Sequence, residues 1–463
     1  MGGEKSVNRE KLGSRLGFIL LSAGCAIGIG NVWRFPYLTG KYGGGAFVLL
    51  YLIFLVLLGI PVMTMEFAVG RGAQKSPVRM FQELEKPGSK WHIHGYVCLI
   101  GDTLLMMYYT TVAGWMLQYF VRSAAGQFNR KDTEAVGRVY QEMLHQPGML
   151  TLSMVVIVAL GFFVCSIGLQ SGLERVTKVI MPLLLLIMIV LALNSMFLKN
   201  ASEGLNFFLV PDFGRMKEAG IIKVIVAAMN QAFFTLSVGI GSMAIFGSYI
   251  DKKHALLGES VNVALLDTFV AITAGMIIIP ACFSYDVELT EGPGLIFVTL
   301  PNIFNDMPLG RLWGGLFFVF MCFAAFSTVL ALFESIIACV MELTSWSRKK
   351  TSFICVFAMI LLSLPCTLGF NVLSGFQPLG AGSTVMDLED LIVSNFLLPV
   401  GALVFVLFCT IRAGWGWERF VEESNTGKGL KIPSWLRPYT TFVLPVIIIA
   451  VFVAGLIPFF IEV

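Results

Sequence analysis

The chain has 463 residues, of which 57% are hydrophobic and only 13% charged, with a formal net charge of +3. A mean hydropathy of +0.82 excludes an ordinary soluble domain, and a charge this small gives no reason to expect a nucleic-acid partner. The composition is that of a polytopic, all-α membrane protein.

The amino terminus, Met1-Gly2-Gly3-Glu4-Lys5-Ser6, fits the loose myristoylation pattern, but a lipid anchor would add little to so many spanning helices. The first apolar run is too long for a cleavable signal and leads directly into further spans. Hydropathy marks eleven spans, centred near residues 27, 57, 108, 158, 186, 234, 270, 326, 361, 400 and 450. With the amino terminus on one side, alternate connections on that side hold 21 of the 32 Lys and Arg residues. This places the amino terminus in the cytoplasm and, with an odd number of spans, the carboxyl terminus outside. The Asn200-Ala201-Ser202 sequon carries little weight, since such triplets arise by chance.

Span 1 is unusual. Within LGFILLSAGCAIGIGNVWRFPY, residues 16–37, it contains Gly24, Gly28 and Gly30, followed by Asn31 and Arg34. Small residues can serve close helix packing. The polar residues point instead to a helix broken at mid-depth, where freed carbonyls face a cation and freed amides face an anion. Span 6 carries a similar interruption in QAFFTLSVGIG, residues 231–241, with Thr235, Ser237, Gly239 and Gly241. Two breaks five spans apart predict an inverted repeat of five-helix halves, residues 12–198 and 219–413, with an eleventh helix at 436–463, in one transmembrane domain over 1–463. Span 5 holds Gly172 and Pro182, which are consistent with a static kink or with a hinge that unwinds near the start of the helix.

Span 3 places Asp102 seven residues before Tyr109 and hence on the same face, next to Tyr108. Glu66 in span 2, Asp267 in span 7, and Ser327, Thr328 and Glu334 in span 8 are ion ligands or packed polar bridges, and together they predict a polar cavity. The nine cysteines lie in apolar runs and read as small buried hydrophobes. His92, His94, His145 and His254 lie in polar connections, and His92 and His94 alone make a poor metal site.

The run Gly28-Ile29-Gly30-Asn31-Val32-Trp33-Arg34-Phe35-Pro36-Tyr37, followed by Gly43-Gly44-Gly45-Ala46-Phe47, resembles the first-helix signature of the neurotransmitter:sodium symporters. Residues 231–237, Gln-Ala-Phe-Phe-Thr-Leu-Ser, resemble their sixth helix. Eleven spans are similar to the bacterial amino-acid transporter branch, in the bacterial inner membrane.

The resemblance implies two sodium sites. The first would use the Ala26 carbonyl, Asn31, Thr235 and Asp267 with the substrate carboxylate. The second would use carbonyls of Gly24, Ile27 and Ala324 with the hydroxyls of Ser327 and Thr328. The substrate carboxylate would meet Gly28, Gly30 and Tyr109, and the ammonium would meet carbonyls of Ala26, Phe234 and Ser237. Leu105, Phe234, Ile240, Thr328 and Leu332 would line a mostly apolar side-chain pocket. Amine-transporting members carry aspartate at the position of Gly28, so a hydrophobic α-amino acid is expected here, brought in together with sodium.

Chloride-dependent members have asparagine at position 267 with a nearby serine, and leucine-type bacterial members have asparagine with a glutamate one turn later. Here the later residue is Ala271 and the acid is Asp267, which can balance the cations in low dielectric without a halide. Tyr109 and Phe234 would form an outer gate with Arg34 paired to Asp390, Asp387 being the alternative partner. Arg9 and Glu342 would form an inner gate. A channel is disfavoured because no filter-like loop or ring of acids appears. An enzyme is excluded because no nucleophile with base, metal motif or phosphate loop is present. A sensor that binds without transporting would keep the same site.

Overall fold

In the computed structural model of the protein, residues 10–129, 131, 133–285 and 294–461 are described. The amino-terminal lipidation pattern and Arg9 lie outside them. Nine helices among the described residues are long and apolar enough to cross a membrane. A tenth crossing is the pair Arg15–Ala26 and Ile29–Lys41, bent by 63°, which is span 1. The predicted span 6 is two short helices, Ile221–Thr235 and Ser242–Gly247. Its apolar part is therefore shorter than the eleven-span reading expects.

The remaining spans are Gly45–Ala73, His92–Ala124, Pro147–Ile167, Leu169–Met196, Leu256–Ser284, Gly310–Thr344, Arg348–Leu368, Val385–Thr410 and Leu436–Gly455, numbered 2 to 5 and 7 to 11. Burial of the apolar window separates centre from periphery: 72% in span 8 against 28% in span 11. The outer helices present Phe353, Phe357, Leu361 and Val446 outward. Such surface is stable only against hydrocarbon, because water would have to hydrate it.

Both breaks have local causes. The first half of span 1 stops where Ile27 and Gly28 turn extended, Gly28 having φ −126° and ψ −170°. Span 6 unwinds after Thr235 through three residues of positive φ, Ser237 at 50°, Gly239 at 112° and Gly241 at 78°. Gly239 is needed for space as well as for φ: a Cβ there would lie 2.2 Å from the Leu398 carbonyl oxygen of span 10. The freed amides of Gly239 and Met243 donate to the buried carboxylate of Glu66. Glu66 is thus a polar bridge that closes the helix end.

Glu334 is likewise a bridge, held by the Arg348 guanidinium at 2.6 and 3.0 Å and by the Tyr249 hydroxyl at 2.7 Å. The cysteines are all free, and all but the half-buried Cys322 are buried. His94 departs from the expectation for the histidines. It lies inside span 3, buried between the rings of Phe81 and Phe405, because its neutral imidazole packs like an aromatic ring. Span 5 is wound throughout, with a π turn at Leu169–Glu174 around Gly172 and an α-helix running through Pro182.

Candidate substrate and ion site

Ending the first half of span 1 at Ala26 leaves the carbonyls of Gly24 and Ile27 without their i+4 amide donors. Both turn to the hydroxyl of Thr328 in span 8, which lies 3.2 Å from the Gly24 oxygen, 3.3 Å from the Ile27 oxygen and 3.4 Å from that of Ala324. Ser327 Oγ adds a fourth contact, 2.9 Å from the Ala324 oxygen. All of the residues named for the second sodium site are therefore gathered around one point. Hard neutral oxygens from two helices suit a hard monovalent cation.

A second cluster lies on the other side of the break. Asn31 Nδ2 donates to Thr235 Oγ1 at 3.0 Å and to Asp267 Oδ1 at 2.8 Å, and the Thr235 hydroxyl donates to Asp267 Oδ2 at 2.8 Å. Asn31 Oδ1 accepts the Gly28 amide at 3.2 Å. Asp267 is fully buried. A cation joining these residues would take the place of the Asn31 amide hydrogens, and a half-turn of that amide would offer it Oδ1. Tyr51 faces Asp267 and Thr235. Gln231, one turn before Thr235, is buried, and neither of its side-chain polar atoms has a hydrogen-bond partner among the described residues. Sequence reasoning passed over both, although Gln231 opens the quoted helix 6 motif.

Between the clusters lies an inner chamber of about 30 Å³, bounded by Cys25, Ala26, Gly28, Gly30, Asn31, Leu105, Tyr109, Phe234, Ser237, Thr328, Val393 and Leu398. The Ile29 amide donates to the Tyr109 hydroxyl at 3.1 Å. A Cβ on Gly28 would lie 2.8 Å from that hydroxyl, so a side chain there would compete directly with Tyr109. Ile240 and Leu332, expected in the wall, are not among its lining residues. The left-handed turn lays Ile240 against Gly101 of span 3, and Leu332 is fully buried one turn beyond Thr328. The Thr235 hydroxyl faces Asp267 and not the chamber. Cys25, Val393 and Leu398 line the wall unforeseen.

Above the chamber opens a vestibule of about 450 Å³, walled by residues including Trp33, Arg34, Lys41, Tyr108, Phe234, Asp387 and Asp390. The Arg34 guanidinium carbon lies 4.3 Å from the centroid of the Phe234 ring, a cation–π contact. No ion pair joins Arg34 to Asp390 or Asp387 among the described residues. Asp390 instead accepts the hydroxyls of Tyr108 at 3.1 Å and Ser394 at 2.7 Å, while Asp387 accepts the Thr384 amide and hydroxyl at 2.7 and 2.8 Å.

On the opposite face polar contacts join neighbouring spans. Glu174 accepts the Gly13 amide at 2.7 Å, the Ser14 hydroxyl at 2.9 Å and Lys178 at 2.6 Å, which ties the start of span 1 to span 5. Glu342 accepts the Ser76 amide and hydroxyl at 3.0 and 2.7 Å.

The chain matches the model of the sodium:neurotransmitter symporter family over residues 9–135 and 127–462. It is 35% identical over 442 residues to the uncharacterized sodium-dependent transporter YhdH of Bacillus subtilis, covering 95% of this chain and 96% of that one. It is 32% identical over 470 residues to an uncharacterized sodium-dependent transporter of Methanocaldococcus jannaschii, covering 96% and 90%. Among solved structures, that of MhsT in complex with L-phenylalanine superimposes with a TM-score of 0.87 at 37% identity, covering 97% of this chain and 100% of the other. The broken first helix, the oxygen clusters beside it and these likenesses agree: the chain belongs to the sodium:neurotransmitter symporter family and is a sodium-dependent membrane transporter, not an enzyme.

Proposed function

We propose that this protein imports a hydrophobic α-amino acid by alternating access, together with two sodium ions and without chloride. The observation that carries this reading is the chamber between the two helix breaks. Its polar lining is backbone with Asn31, Tyr109, Ser237 and Thr328, its apolar lining includes Leu105, Val393 and Leu398, and among the described residues that line it none carries a charge that could pair with a substrate amine. The amino and carboxyl groups would be held by the freed backbone, and the apolar wall would select the side chain. L-phenylalanine, bound by MhsT, fits that class.

The first ion would join Asn31, Thr235, Asp267 and the Ala26 carbonyl with the substrate carboxylate, so that ion and substrate each favour the other. The second would sit among the oxygens of Gly24, Ile27, Ala324, Ser327 and Thr328. Asp267 supplies the negative charge that a halide would otherwise bring, with Ala271 one turn away offering no hydroxyl to one.

The excess of Lys and Arg on the amino-terminal side orients that side to the cytoplasm. Span 1 ends at Lys41 in the vestibule wall, so the vestibule faces outward. Tyr109, Phe234, Arg34 and Asp390 would close it, and Glu342 with Arg9 would guard the inner side. Gly172 and Pro182 would allow the start of span 5 to loosen. The halves exchanging these states would be residues 12–198 and 219–413, with the segment 436–463 outside the repeat.

The test is uptake of radiolabelled phenylalanine, leucine and tryptophan into proteoliposomes under an inward sodium gradient, in chloride or gluconate. Concentrative uptake that persists in gluconate is expected. Strict chloride dependence would refute the role given to Asp267, and sodium-dependent binding without accumulation would refute transport in favour of a sensor.

A further inference from the structure

The acids in the core of the bundle are satisfied in different ways, and one stands apart. Glu66 receives backbone amides, Glu334 receives an arginine, and Asp267 receives the Asn31 amide and the Thr235 hydroxyl. Asp102 is fully buried in span 3, one turn before Leu105 of the chamber wall. Its Oδ2 accepts the hydroxyl of Ser335 in span 8. Its Oδ1 has no hydrogen-bond partner among the described residues.

The titratable groups facing it are Cys25 of span 1, Glu66 of span 2, Cys98 of its own span and Cys339 of span 8. Three are thiols, uncharged in their ordinary state at neutral pH, and one is another acid. A carboxylate offers about four acceptor sites, and here one hydroxyl serves them. An ion left so bare in an apolar interior is strongly disfavoured against the neutral acid. Among these acids, Asp102 alone has neither a cation nor an amide.

We propose that Asp102 is a proton-binding site of the transport machinery, protonated while the face opposite the vestibule is closed and deprotonated when that face opens. The geometry gives the route. Asp102 lies on the side of the chamber opposite the vestibule, since span 3 runs from His92 at that face past Tyr109 towards the vestibule. The first half of span 1, which carries Cys25, lies over it. When that half moves away, as the alternating-access reading requires, water reaches the carboxyl group, the O–H bond breaks, the proton passes to water and the carboxylate is hydrated. Because the closed state binds the proton more tightly, acid on that side favours the vestibule-open state, and alkali favours its opposite.

The experiment is infrared spectroscopy of the full chain in lipid nanodiscs at neutral pH, comparing wild type with Asp102→Asn. Loss of a protonated carboxylic acid carbonyl band in the variant is expected. Loss of carboxylate bands instead would overturn the proposal. Ser335→Ala guards against a variant that fails to fold: removing the one hydroxyl bonded to the acid must move the same band to higher frequency, and an unmoved band also overturns it.

In proteoliposomes, the dependence of uptake on internal pH is expected to be lost in Asp102→Asn, and an unchanged profile would defeat the release step. Sodium-dependent phenylalanine binding, measured on the same samples, tests the transport reading separately. Its failure leaves the infrared band to decide the state of Asp102.

Discussion

Replacing Thr328 by valine keeps the shape of the side chain and removes a single oxygen. That oxygen stands 3.2 to 3.4 Å from the carbonyls of Gly24, Ile27 and Ala324, so a cation among them loses one ligand and three buried acceptors lose their shared donor. Losing a polar contact to an ion costs about 1 to 3 kcal/mol. The hydrogen bonds lost from the ion-free protein are long and weak, so most of that cost falls on the ion-bound state. Apparent sodium affinity should therefore fall roughly 5- to 150-fold. The assay is equilibrium binding of labelled phenylalanine as sodium is raised, with Thr328→Ser as the control that restores the oxygen. Because Thr328 also borders the chamber, phenylalanine affinity is read separately at saturating sodium. A sodium midpoint within twofold of wild type in Thr328→Val would refute the ligand role of this hydroxyl.

Asp267→Asn removes the charge of the other cluster. Breaking a buried ion pair by deleting one partner costs about 3 to 5 kcal/mol, so sodium-dependent binding should weaken by at least roughly 100-fold, and chloride should not restore it. Arg34→Ala or Asp390→Ala should reduce uptake more than binding, since a pair open to solvent contributes about 0 to 1 kcal/mol and must break in every cycle; unchanged uptake would remove the pair from the gate. Gly239→Ala places a methyl group 2.2 Å from the Leu398 carbonyl at a φ of 112°. The resulting backbone strain of at least about 1 to 3 kcal/mol should appear as a lower melting temperature in detergent, and an unchanged melting temperature would show that span 10 yields there.

The break in span 1 was legible because glycine and asparagine are conspicuous in an apolar helix, and the same contrast exposed Thr235, Asp267 and Thr328. What stayed hidden was apolar. Val393 and Leu398 face the chamber and Leu332 does not, yet nothing in an all-apolar span marks which side chains turn inward. Ile240 was misplaced because its direction depends on the positive φ of its glycine neighbours. The contact of Arg34 with the Phe234 ring was hidden for another reason: an arginine can pair with an acid or a ring, and conformation decides between them. Glu66 and Glu334 were recognised as buried acids, but only their partners across the bundle distinguish a bridge from an ion ligand.

The Asn31 amide has a meaning for the return half of the cycle. A carrier that has delivered its cargo must still carry a carboxyl group back through the middle of the membrane, and a bare charge there would stall it. Asn31 already lends Asp267 and Thr235 the positive end of a dipole, tethered and therefore never lost to either compartment. If the first ion binds here as proposed, sodium would act as a competitor for a seat with a resident occupant. Selectivity would follow from that contest: an ion too weakly attracted to displace the amide would leave the site as it was, and only one that wins would also draw Asn31 Oδ1 into its own shell.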